Sequence, residues 1–114
     1  MEESLEKALE FSNYSVTLNN QKRILSEKYQ ENLIIYYLGG TFTANREMLN
    51  FCSMLLNKTT KTIIVDDNQT PIEINDLNDF TEALIQKYTE ATNQYNEDYK
   101  ILSTRRSVKG LVDV

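Results

Sequence analysis

The chain contains no histidine, one cysteine, one proline and three glycines among its 114 residues. Without histidine it lacks the commonest general base and metal ligand. A single thiol, Cys52, permits no intrachain disulfide and suits a reducing compartment. No apolar run approaches the roughly 20 residues that span a bilayer. The opening "MEESLEKALE" is acidic and amphipathic, the opposite of a basic, apolar-centred signal peptide. No linker or low-complexity stretch interrupts the chain. These features predict one cytoplasmic domain without a membrane anchor, long enough for one modest core.

With 40% hydrophobic and 25% charged residues, the composition is that of a folded globular protein. The formal net charge of −5 argues against a surface devoted to nucleic acid. The charges are unevenly placed. Glu2, Glu3, Glu6 and Glu10 crowd the start, and Lys100, Arg105, Arg106 and Lys109 crowd the end.

The last third is the most legible. Leu77, Phe80, Leu84, Tyr88, Ala91, Tyr95, Tyr99 and Leu102 recur at steps of three, four and four. That eleven-residue period keeps one stripe on one face of a helix with little supercoiling. Asn75 or Asp76 can cap it, and Asp79 meets the positive end of its dipole. The spacing predicts a helix over about residues 76–107, with Gly110 closing it and 108–114 as a C-terminal tail.

Phe11, Tyr14, Leu18, Lys22, Leu25, Tyr29 and Leu33 keep the same spacing, with Leu5, Leu9 and Val16 as a neighbouring stripe. They predict a matching helix over about 2–32, with Asn13, Asn19 and Asn20 as candidate kink positions. An antiparallel pair would set the acidic start of one helix beside the basic end of the other. Exposed pairs are worth only about 0–1 kcal/mol each, so they select orientation rather than hold the fold.

Between the helices, "LIIYYLGGTFTAN" poses a choice. Continuing the first helix to Leu38 would make it apolar all round. As strands, its Ile and Tyr residues flank Gly39-Gly40, a common hairpin turn pair. The hairpin reading is preferred. "KTIIVDDNQTPIEI" is a second hairpin, turning at Asp66, Asp67 and Asn68, with Pro71 placing its return strand at an edge. Met48, Leu49, Phe51, Cys52, Leu55 and Leu56 form the apolar face of a short helix over 44–57. The expected fold is α+β and mostly helical: two long antiparallel helices (2–32 and 76–107) flank a small β element (33–43 and 61–74) and the short helix.

Chemistry is sparse. Cys52, on an apolar face, reads as a structural thiol. Asp66-Asp67-Asn68 resembles the start of a calcium loop but lacks its glycine and its bidentate glutamate, so turn chemistry explains it better. The tyrosine stripe reads as interhelical packing, because acidic residues rather than interleaved cations surround it. No catalytic residue, metal or cofactor is expected. In "STRRSVKGLVDV", Arg105, Arg106, Lys109, Leu111 and Val112 are candidate partner-binding residues. Val108 and Val114 would join them in docking onto a neighbouring subunit. Two wide apolar stripes on so small a chain favour oligomerisation.

The stretches "GGTFTANREMLNFC", "VDDNQTPIEINDLNDF", "YTEATNQYNEDY" and "RRSVKGLV" together resemble small uncharacterised proteins of contractile-tailed phages of marine bacteria. That resemblance implies a non-enzymatic accessory protein of virion structure or assembly. It would be a homo-oligomer, in the host cytoplasm or the virion, with other phage structural proteins as partners and no membrane role. Two alternatives stand beside it: a nucleic-acid accessory protein using the basic C-terminal end, and a prefoldin-like chaperone. The helix inserted between the hairpins departs from the prefoldin pattern.

Overall fold

A computed structural model describes the backbone of residues 2–113 and the side chains of residues 4–10 and 16–104. The elements run α1 (Glu2–Asn32), β1 (Ile34–Tyr37), β2 (Gly40–Thr43), α2 (Arg46–Leu56), β3 (Thr62–Val65), β4 (Pro71–Ile74) and α3 (Leu77–Asp113). The fold is α+β, with long helices at both ends of the chain, as the periodicities predicted. The chain divides into two compact units, residues 30–93 and residues 1–29 with 94–114. α3 contributes its first half to one and its second half to the other.

In the 30–93 unit the β element is not one sheet. β1 pairs with β2 and β3 with β4, each antiparallel, as two separate two-stranded sheets. Tyr37 pairs with Gly40, so the turn residues of the first hairpin are Leu38 and Gly39. Both have positive φ, 48° and 81°, which is the mirror-image turn whose twist suits a hairpin. The turn expected at Gly39-Gly40 therefore sits one residue earlier. The reason is packing: a Cβ on Gly40 would lie 2.7 Å from Cγ1 of Ile72 and 2.8 Å from Cε2 of Phe42. Gly40 is needed in the strand, where its missing side chain admits Ile72, and Leu38 accepts the left-handed conformation in its place.

Alternation places Phe42 inward on β2, with Ile64, Ile72 and Ile74 inward on the second hairpin. Asn45 caps α2 by accepting from the Met48 N–H at 2.9 Å. Asp76 caps α3 by accepting from the Asp79 N–H at 3.1 Å. The inward face of α2 presents Cys52, and the first half of α3 presents Leu77, Phe80 and Leu84; all four are fully buried. Together with Ala44 these side chains form one core, with Tyr37, Met48, Leu49, Leu55, Leu56 and Tyr88 packed around it. Phe80 stands at its centre, with ring centroids 4.9 Å from Tyr37 and 4.8 Å from Phe42. Burying such an aromatic contributes about 1.5–3 kcal/mol, so this cluster stabilises the unit far more than any surface pair.

In the other unit, α1 runs unbroken through its asparagines. Tyr29 stacks on Tyr95 at 4.7 Å, and Lys28 reaches Asp98 at 3.1 Å. Leu25 lines one groove with Leu102. Each step back along α1 is a step forward along α3, so the pair is antiparallel. The helix α3 also continues past residue 107 to Asp113. Gly110 does not end it, since a helical glycine costs only about 1 kcal/mol relative to alanine.

Candidate functional site

The polar centre of the 30–93 unit is Asp66, which is 4% exposed. Its carboxylate accepts from the N–H of Thr70 at 2.8 Å, of Asn68 at 3.0 Å and of Thr41 at 2.9 Å. The first two close the β3–β4 turn, where Gln69 takes a positive φ of 65°. The third reaches across to β2. Beside it, the Asp67 N–H donates to the Thr41 carbonyl at 2.8 Å, and the Thr43 hydroxyl donates to the Asp67 carboxylate at 2.7 Å. Two consecutive aspartates thus clip one hairpin to the other. The backbone donors, Thr41 first, hold the Asp66 carboxyl below the usual carboxylate range. Both Asp66 carboxylate oxygens accept backbone N–H groups, two of them within the turn, which is the turn chemistry expected of this stretch.

A second polar contact joins the first hairpin to α3. The Tyr37 hydroxyl donates to the Asp79 carboxylate at 2.7 Å. That hydrogen bond, helped by desolvation and the Asp79 and Asp76 charges, pushes the phenol up to about 12. Cys52 is fully buried, and its Sγ lies 3.9 Å from the Met48 sulfur. Burial pushes the thiol up, partly offset by Thr81. A thiol held protonated and out of solvent is a core residue rather than a nucleophile. Between the α2 start and the β3–β4 turn, Thr43, Asn45, Glu47, Met48, Phe51 and Asp67 line an open cleft of about 310 Å³. Among the described residues, no cluster of three or more Cys, Asp or Glu side chains is arranged to hold a metal ion.

The helical unit is built differently. Leu18, Leu25, Tyr29 and Tyr95 are half-buried along the seam, and Leu102 is the one fully buried apolar side chain among the described residues of this unit. The stripe Leu5, Leu9 and Val16 is not at the seam: these residues are 62%, 55% and 58% exposed. Ile24 and Ile101, 54% and 53% exposed, rim a groove of about 230 Å³ that Gln21, Leu25, Asp98 and Leu102 also line. The tyrosines spend their ring faces on one another, Tyr29 on Tyr95 and Tyr95 edge-on to Tyr99 at 6.2 Å. This is the packing role expected of them; the side chain of Tyr14 lies outside the described residues.

The side chains of Arg105, Arg106, Lys109, Leu111 and Val112 also lie outside the described residues. Their backbone belongs to the last turns of α3. Exposure of the Leu5–Leu9–Val16 stripe was not legible from spacing alone, because an apolar stripe signals burial without saying against what. No helix among the described residues is long and apolar enough to cross a membrane. No family model, curated protein or solved structure matches the chain.

Proposed function

We propose that this chain is a non-enzymatic structural or assembly subunit that works as a homo-oligomer. It is of the kind encoded by contractile-tailed phages of marine bacteria, acting in the host cytoplasm or within the virion beside other structural proteins. The observation that carries this reading is the apolar surface left on the helical unit, where Leu5, Leu9, Val16, Ile24 and Ile101 are more than half exposed. Apolar side chains grouped on so small a unit are the mark of a surface that another protein covers. The nucleic-acid alternative loses three of the nine described cations to pairing within the chain. Lys28 pairs with Asp98, Arg23 with Glu27 at 3.0 Å, and Lys100 with Glu97 at 3.8 Å.

Sedimentation velocity over a wide concentration range tests the reading. The expected result is a reversible dimer or higher symmetric assembly. A single monomeric species at the highest soluble concentration overturns it.

A further inference from the structure

The two units are held together in different ways. In the 30–93 unit the buried cluster is drawn from β2, α2, β3, β4 and α3, segments far apart in the sequence. Hydrogen bonds tie the same segments to one another. Asp66 and Asp67 join the hairpins, and the Tyr37 hydroxyl joins the first hairpin to Asp79 of α3. The Ala44 N–H donates to the Leu33 carbonyl at 2.7 Å, which closes the base of the first hairpin where α1 ends. Withdrawing any one of these segments exposes side chains of the others, so this unit opens as a whole.

The pairing of residues 16–29 with residues 94–104 is simpler, one helix against another. Among the described residues its seam consists of half-buried Leu18, Lys22, Leu25, Tyr29 and Tyr95 with buried Leu102. Lys22 gives the seam only its alkyl stem, because its ammonium stays in water. The Lys28–Asp98 bridge keeps its lysine side chain 51% exposed, where an ion pair adds little. Asn19 and Asn20, both poor helix formers, lie in the same turns of α1. A helix in a protein draws most of its stability from its packed face rather than from propensity, so a thin seam holds these turns weakly.

We propose that residues 16–29 and 94–104 open as a unit of their own: the two helices part and their amides exchange with water while residues 30–93 stay folded. On α3 the boundary falls between Ala91, which is 3% exposed, and Gln94. Before it, Leu77, Phe80 and Leu84 fix the helix in the core; after it, Tyr95, Asp98 and Leu102 meet α1. One continuous helix thus carries a firmly held half and a loosely held half.

Hydrogen–deuterium exchange of the full chain at the lowest workable concentration, read peptide by peptide and corrected for intrinsic amide rates, tests this. Peptides covering 16–29 and 94–104 should exchange at least about 100-fold faster than those covering 62–74 and 77–91. Leu102→Ala should speed the first set at least about tenfold and leave the second unchanged. Ile74→Ala should do the reverse, speeding the 62–74 and 77–91 peptides while the helical pair keeps its own rate. Equal protection in the wild-type chain overturns the proposal, because the molecule would then open as one cooperative body. So does a Leu102→Ala effect shared by the 62–74 and 77–91 peptides, or a Leu102→Ala chain in which residues 30–93 fail to fold.

Discussion

Truncating Phe80 to alanine probes whether the core of the 30–93 unit sits where α3 meets the two hairpins. The ring is fully buried and touches Tyr37 and Phe42 edge-on or tilted at under 5 Å. Removing a buried Phe leaves a cavity its neighbours only partly fill, which costs about 3–5 kcal/mol. The two ring contacts, about 0.5–1.5 kcal/mol each, place this site toward the upper part of that range. Small proteins have only about 5–15 kcal/mol in total, so the variant should lose a large share of its stability. At about 4–8 °C per kcal/mol the melting temperature falls by more than about 12 °C. Urea unfolding is the assay, followed by fluorescence from the seven tyrosines, since no tryptophan is present. The control is Ile85→Ala, five residues along the same helix and 50% exposed, expected to lose less than about 1 kcal/mol. Equal losses in the two variants would refute the placement of the core, whatever their absolute size.

Gly40→Ala should cost about 1–3 kcal/mol by forcing Ile72 and Phe42 apart. Gly39→Asn at the neighbouring turn position should be nearly neutral in the same melt, because nothing lies within 4 Å and Asn tolerates the left-handed conformation. Asp66 has a depressed carboxyl, so its stabilisation is complete above the ordinary value of 3.8 and is lost as pH falls through the lower folded value. Asp66→Asn should lower stability at neutral pH and flatten the acid limb of the stability curve; an acid limb identical to wild type would contradict the clip. Tyr37 has a raised phenol, so its contribution is intact below pH 10 and is lost as pH rises toward about 12. Phenolate absorbance should carry a step near pH 12, and Tyr37→Phe should abolish that step.

The order and type of the elements follow from residue patterns within reach of each other along the chain. The three-four-four spacing from Leu77 to Leu102 marks the buried face of α3, with Tyr99, 41% exposed, at its margin. Asn45 and Asp76 cap the helices because their short side chains reach the first free N–H groups. Pro71 begins β4 opposite Val65, where a missing N–H costs no pairing. Even Lys22, the misfit of the α1 stripe, is half-buried, its alkyl stem serving where an apolar residue would.

Packing between distant segments decided the rest. Whether the first hairpin turned at Leu38-Gly39 or Gly39-Gly40 depended on Ile72, some thirty residues on, needing the space a glycine leaves. Asp66 looked like a turn former and proved also to be the tie between hairpins, because the N–H that completes its set comes from Thr41. The lengths of α1 and α3 suggested rods matched end to end. The first half of α3 packs in the core of residues 30–93, and its second half pairs with α1. Periodicity names the face a helix will bury; only packing between segments distant in the sequence decides what covers it.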